Sequence, residues 1–264
     1  MLFIMVNKMV RRYRAPSVIK AFQILRLIAD NNRGLGISEL AKRLGMSKGT
    51  VHGIMAALKE VGAITRDPIT KRYNLGYTIL ELGNRGLSRI PLREVARRHM
   101  EGLMEETGES VFLGILNDHH ILILDVVESN KELKITSPSG TRISLSAGAT
   151  GKLFLAYMEE ERALSYLTTN GLVRYTQNTV TELDRYLEEI KEVRKRGFAI
   201  DQEEYLQGVK AVAALIKTEP PLLAAIWVVG FSSSLTDEKM EMVIKKTLQA
   251  AGTISRELRQ RVKI

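Results

Sequence analysis

The turn Gly45-Met46-Ser47 is the feature that most restricts how this chain can fold. A glycine at the end of a helix supplies a left-handed stop, and a serine two residues later caps the next helix. Two amphipathic helices are therefore joined by only three residues. The first is read as Glu39-Leu40-Ala41-Lys42-Arg43-Leu44 with Ser38 as its N-cap. In the second, Val51, Ile54, Met55, Leu58 and Val61 form an apolar stripe. Lys48, Gly49, Thr50, His52 and Gly53 are left on the opposite face, near its N-terminal end. An earlier helix starts at Ala15, with Val18, Phe22, Leu25 and Ala29 on one face and Ala21 and Ile28 beside them. It stops at Asn31-Asn32-Arg33-Gly34.

After Gly62, Ala63-Ile64-Thr65-Arg66 alternates as a strand, Asp67-Pro68-Ile69-Thr70 reads as a turn, and Lys71-Arg72-Tyr73-Asn74-Leu75 returns. Helix, short turn, helix and basic hairpin describe a winged helix-turn-helix. Its second helix would enter the DNA major groove through Ser47, Lys48, Thr50 and His52, with Gly49 and Gly53 on the same contact face and Ser38 as a further candidate DNA contact. Arg66, Lys71 and Arg72 would lie along the phosphate backbone. Charge agrees. Residues 1–75 hold 14 Lys and Arg against 4 acids, and the remainder holds 25 against 26. A basic head on a near-neutral body suggests one unit that meets a polyanion and another with a different task. Gly49 and Gly53 each weaken their helix by about 1 kcal/mol relative to Ala. Close approach of backbone to DNA explains them, as does a helix end with little packing to do.

The rest of the composition excludes more than it assigns. With 45% hydrophobic and 26% charged residues the chain is an ordinary globular one, with one large domain or two smaller ones. No run of 18 apolar residues exists, and the opening six residues do not make a signal peptide, so a cytoplasmic protein that avoids membranes is expected. Zero cysteines exclude disulfides, thiolate metal sites and cysteine nucleophiles. His119-His120 reads as a hairpin turn, with no third ligand spaced to join it. Gly148-Ala149-Thr150-Gly151-Lys152 invites a phosphate-loop reading that fails, because Ser146 stands at the first glycine position and Leu153 follows the lysine. No nucleophile or metal motif suggests an enzyme, and no cofactor is implied. Asp201, read as part of an acidic loop with Gln202-Glu203-Glu204, is a candidate base or a cap.

Residues 77–88 read as a short helix, interrupted at Arg89-Ile90-Pro91, where the domain boundary belongs. An amphipathic helix then runs to Glu105. Strands are expected over 111–116, 121–127, 133–136, 198–200, 209–216 and 222–231, and helices over 153–158, 159–167 and 181–196 and from about Thr236. Antiparallel hairpins with flanking helices make an α+β domain. The expected organisation is a basic arm over 1–14, the winged head over 15–76, a linker helix over 77–90 and a second domain over 91–264.

These residues together resemble the IclR family of transcriptional regulators from about Pro16 onward. The signals are Ser47-Lys48-Gly49-Thr50-Val51-His52, Tyr73-Asn74-Leu75-Gly76, Gly148-Ala149-Thr150-Gly151-Lys152, Arg196-Gly197-Phe198-Ala199-Ile200-Asp201, and Glu203-Glu204-Tyr205-Leu206-Gln207-Gly208-Val209. The resemblance implies a GAF-like effector domain behind the linker helix and assembly as dimers or dimers of dimers on inverted-repeat double-stranded DNA. It also implies a small-molecule effector, often an organic or aromatic acid. Carried over, Leu145, Ala149, Thr150, Asp201, Ala211, Trp227 and Val229 would line the effector pocket. Family members often place Cys at the position of Ala211, hydroxyl residues around Trp227 and Val229, and Arg at Gly53. The pocket here is therefore expected to be more apolar or narrower. Three readings stay open: a ligand-responsive regulator that represses a metabolic operon, a DNA-binding protein whose second domain is a dimerisation scaffold filled by Trp227, and an enzyme domain fused to a DNA-binding head.

Overall fold

The computed structural model describes residues 15–88, 91–218 and 222–261, so the expected basic arm over 1–14 lies outside the described residues. The chain divides into two compact units, Met1–Ile90 and Pro91–Ile264.

In the first unit, helices α1 (Pro16–Ala29), α2 (Ile37–Leu44) and α3 (Lys48–Glu60) precede a hairpin of β1 (Ile64–Arg66) and β2 (Tyr73–Leu75), and α4 (Tyr77–Ser88) follows. The core gathers Ile24, Ile28, Leu35, Leu40, Val51, Met55, Ile64 and Tyr73. Three sequence expectations are corrected here. On α1 the buried stripe is Ile24, Leu25 and Ile28, whereas Val18 and Phe22 are 54% and 58% exposed and Ala29 is exposed too. The helix carries apolar residues around more than one face, and α3 and β2 pack on its C-terminal half. Ser38 does not cap α2. Leu35 pairs with Tyr73 as an isolated bridge, which keeps the chain extended up to Gly36, so Gly36 becomes the cap and Ser38 sits exposed in the first turn. Val61 is exposed because α3 ends at Glu60 and the chain reverses at Gly62, whose φ is +71°. Gly45 does stop α2 in the left-handed region, at φ +62°.

The wing strand also starts later than the sequence suggested. Asp67 Oδ1 accepts from the backbone N–H groups of Ile69 (2.9 Å) and Thr70 (2.6 Å), closing an Asx turn. Lys71 adopts φ +59°, so Lys71 and Arg72 belong to the turn and pairing begins at Arg66↔Tyr73.

The second unit is built on one six-stranded sheet in the order β5-β4-β3-β8-β7-β6, with every neighbouring pair antiparallel. Its strands are β3 (Ser110–Asn117), β4 (His120–Val127), β5 (Arg142–Ser144), β6 (Phe198–Gln202), β7 (Val209–Ile216) and β8 (Ala224–Phe231). Helices α5 (Leu92–Thr107) and α9 (Asp237–Arg261) pack together on one face. The other face carries Phe112, Ala211, Ala213, Ala225 and Trp227. It meets α6 (Gly148–Tyr157), which is backed by α7 (Glu160–Asn170) and α8 (Leu183–Arg196).

Residues 133–136 are not a strand: they lie in the loop between β4 and β5, and Leu133 is 75% exposed. The partner of β4 on that edge is instead the short β5, which the sequence did not announce. Helix α6 starts at Gly148, ahead of the expected 153. Its small residues form the first turns because a Cβ on Gly151 would stand 2.4 Å from the Leu145 carbonyl oxygen, so only glycine lets the helix begin this close to the preceding loop. Asp201 is in strand β6, opposite Ala211, and not in a loop.

Candidate functional site

The first unit presents a fixed polar face at the start of α3. Ser47 Oγ accepts from the backbone N–H of Thr50 at 3.1 Å and shares a hydrogen bond with Thr50 Oγ1 at 2.9 Å, so the cap also orients the threonine. Lys48, Gly49, Thr50, His52 and Gly53 are all exposed, as is Ser38 on α2. Nothing lies within 4 Å of a Cβ built on Gly53, and the one neighbour of a Cβ on Gly49 is the Ser47 hydroxyl at 4.0 Å. Packing therefore does not demand either glycine, and the outer face of the helix stands open. The first turn of α3 contains no acid, which leaves the positive end of the helix dipole free to face an anion.

The wing residues are placed differently from one another. Arg66 is exposed, donates from Nε to the Lys71 carbonyl at 3.2 Å and lies over the Tyr73 ring at 5.6 Å. Lys71 is exposed at the turn, with its Nζ 2.6 Å from the Pro68 carbonyl oxygen. Arg72 points to the base of the wing. Its Nε donates to the carbonyls of Arg33 and Gly34, both at 3.0 Å, and its Nη2 meets Glu39 Oε2 at 2.7 Å. Glu39 holds Arg43 as well, at 2.8 Å. Arg72 therefore ties the wing to α2, while Arg66 and Lys71 remain on the surface.

In the second unit a cavity of about 230 Å³ opens between the sheet and α6. Of the seven residues expected there, Ala149, Thr150, Asp201, Ala211, Trp227 and Val229 line it. Leu145 does not. It is fully buried beneath the start of α6. The walls are mainly apolar and include Phe112 and Ile123, with a few polar groups, the composition expected of a small-molecule site. Sequence reasoning missed Arg142 and the segment Ile135-Thr136-Ser137. Arg142 sits on a three-residue strand with no sequence signal, and the strand expected over 133–136 conceals the loop that carries Ile135 and Thr136. Tyr205 also lines the cavity, and its place inside the quoted Glu203–Val209 motif was the available clue.

Asp201 is the buried acid of this cavity, 5% exposed. Burial pushes its carboxyl up to about 6, partly opposed by the backbone N–H of Glu204, which it accepts at 2.6 Å. The Glu204 carboxylate raises it further, and the Tyr205 N–H and the Lys152 ammonium lower it. Lys152 is buried on α6 and bridges Glu189 of α8 (2.6 Å) and Glu204 (2.5 Å). Its ammonium is taken up by carboxylates, which agrees with the failure of the phosphate-loop reading. A larger polar concavity of about 610 Å³ lies beside Arg174, Arg185 and Glu189 and also reaches Glu204, but its lining is largely ionic and hydrophilic. Among the described residues no helix is long and apolar enough to cross a membrane, and no three His, Asp or Glu are grouped to hold a metal ion. His119 stacks on Tyr166 at 5.6 Å.

With this geometry in hand, comparison with known proteins is decisive. The family description "Bacterial transcriptional regulator IclR C-terminal" matches residues 84–256, and "IclR helix-turn-helix domain" matches residues 17–68. The chain belongs to the IclR family. It is 32% identical over 237 residues to the HTH-type transcriptional regulator BhcR of Paracoccus denitrificans, covering 89% of this chain and 85% of that protein. It is 29% identical over 247 residues to the transcriptional repressor IclR of Escherichia coli, covering 92% and 89%. Among solved structures, an IclR homolog from Microbacterium hydrocarbonoxydans complexed with 4-hydroxybenzoate superposes with a TM-score of 0.78 at 21% identity. That match covers 92% of this chain and 98% of the other. As an IclR-family protein the chain is a DNA-binding transcriptional regulator with an N-terminal helix-turn-helix unit and a C-terminal effector-domain fold.

Proposed function

We propose that this IclR-family regulator is a cytoplasmic repressor of a metabolic operon that performs no catalysis, reading an inverted-repeat operator through α3 and releasing it in response to a small organic or aromatic acid. The observation that carries the DNA half is the cap-locked, exposed face of Ser47, Lys48, Thr50 and His52 beside a wing that shows Arg66 and Lys71. Residues 15–76 form the DNA-binding head, 77–90 the linker and 91–264 the effector and oligomerisation domain. The apolar cavity supports the effector half, together with the 4-hydroxybenzoate bound by the Microbacterium homolog. The rival scaffold reading, in which Trp227 fills the pocket, is disfavoured because about 230 Å³ stays open with Trp227 in place. The E. coli repressor supports repression as the direction of control.

A single head contacts too few bases for a unique site, so binding as a dimer or dimer of dimers is expected. Half-sites would then be separated by one or more turns of ~10 bp, which footprinting reads directly. Val18, Ile19 and Phe22, each about half exposed or more, leave an apolar face on α1 that suits a second copy of this chain. Phe22→Glu should weaken self-association in sedimentation experiments, and an unchanged oligomer would place the contact elsewhere.

Operator affinity measured across salt concentration separates the basic residues. Lys48→Ala and Lys71→Ala should each reduce the salt slope by about 1 and weaken all sequences alike. Arg72→Ala should leave the slope unchanged and act by loosening the wing from Glu39. Thr50→Ala should change base preference by about 1–3 kcal/mol at one position. If Lys71→Ala altered base preference while Thr50→Ala did nothing, the roles of helix and wing would be reversed.

A further inference from the structure

Trp227 has room in this molecule because of a glycine two strand positions away from its partner. On β3 and β8, Phe112 stands opposite Trp227 and Gly114 opposite Ala225, all on the sheet face that meets α6. The Trp227 indole lies parallel to the Phe112 ring, with centroids 5.6 Å apart and planes 9° apart. Its six-membered ring reaches over Gly114, where a Cβ would stand 2.7 Å from Cη2 and 2.9 Å from Cζ3. Ala225, paired with Gly114, and Ala213, paired with Trp227 from β7, are likewise small and buried. The indole is therefore laid down along the sheet and out of the space above it. That space is the cavity of about 230 Å³, and Phe112 and Trp227 both line it.

We infer that Gly114 and Trp227 together set the size limit of the cavity and make it selective for a planar ligand of one ring. The bulge at Leu113/Gly114 also brings the Leu122 carbonyl oxygen to 2.8 Å from where a Cβ would stand, so the sheet asks for glycine there as well, whereas no strand pairing demands a tryptophan at 227. A cavity of about 150 Å³ admits a benzene ring, so the larger volume here gives one ring room for substituents and leaves a fused pair a tight fit that any substituent would spoil. Two parallel aromatic faces in the lining favour a flat partner over a short aliphatic chain of equal volume. Gly114 acts as a positioning residue, because it touches Trp227 and is not itself part of the lining. The inference rests on the proposal that this cavity takes small molecules.

The test uses benzene, naphthalene and benzoate as probes on the full-length protein, with binding followed by calorimetry and by the emission of Trp227, the single tryptophan. The natural protein should bind benzene and discriminate against naphthalene by at least tenfold. Trp227→Phe should vacate the niche over Gly114 and reverse or abolish that preference. Gly114→Ala should push the indole into the cavity, shift its emission and reduce benzene binding at least tenfold. Because a Cβ at Gly114 would also stand 2.8 Å from the Leu122 carbonyl oxygen, that variant is read only where its circular dichroism is native, and Trp227→Phe decides otherwise. Failure of the natural protein to take up benzene while it binds benzoate overturns this inference alone, and failure to take up either overturns the small-molecule reading with it. Benzene uptake with an unmoved size preference in Trp227→Phe overturns this inference alone.

Discussion

Lys152→Met is expected to destabilise the C-terminal unit by about 3–5 kcal/mol, the usual consequence of removing one partner of a buried ion pair and leaving the other charged. Lys152 is 4% exposed, and its ammonium lies between Glu204, whose side chain is 13% exposed, and Glu189. Methionine matches its length and suits the surrounding core of α6, so packing loss is small and the charge term dominates. Glu204 is then left without its cation in a place that water reaches poorly. The backbone N–H of the same residue holds Asp201, so the turn that walls the cavity should loosen as well. Lys152→Met combined with Glu204→Gln should recover part of the loss, since no uncompensated charge remains at that position. Chemical denaturation of the natural protein and the two variants measures this. A single-variant loss below about 1 kcal/mol would show that Glu189 and Glu204 reach solvent without Lys152.

Residues with a strong local requirement were legible in the sequence. Gly45 and Ser47 fix a turn by backbone conformation and capping, both local properties, and α4 occupies the span 77–88 set by the interruption at Arg89-Ile90-Pro91. Elements defined by distant partners were harder. The buried face of α1 depends on where α3 and β2 land, and nothing within the helix distinguishes Phe22 from Ile24. Ser38 lost its capping place to Gly36 because a bridge from Tyr73, nearly forty residues away, holds the chain extended. Arg72 was read with Arg66 and Lys71 as one basic stripe. Its partner Glu39 lies 33 residues earlier, and a hairpin pattern contains no trace of that pairing. In the cavity, six residues followed from the family resemblance, while Arg142 and the loop at Ile135 come together through tertiary folding alone.

Asp201→Asn is expected to raise stability above pH 6 and to remove a pH dependence that the natural protein shows between about pH 4 and pH 6. Burial is the main cause of the raised carboxyl, moved from an ordinary 3.8 up to about 6 in the folded chain. The folded state therefore holds this proton more tightly than the unfolded one. The associated stability is complete below about pH 4 and is lost as pH rises through 6. At 1.36 kcal/mol for each tenfold difference in proton affinity, the loss approaches about 3 kcal/mol by pH 7. Asparagine removes the charge but keeps a carbonyl oxygen to accept from the Glu204 backbone N–H, so the hydrogen bond survives. Other carboxylates, such as Glu128 beside Thr136 and Lys134, are shifted downward and favour the folded state at higher pH, so the quantity to follow is the difference between the two proteins. Urea titrations at pH 4, 5, 6 and 7 should give nearly equal stabilities at the acid end and a gap that widens toward neutrality. A constant gap across the whole range would mean that Asp201 ionises in the folded protein as it does in water, so that its burial in the cavity wall carries no cost to its charge.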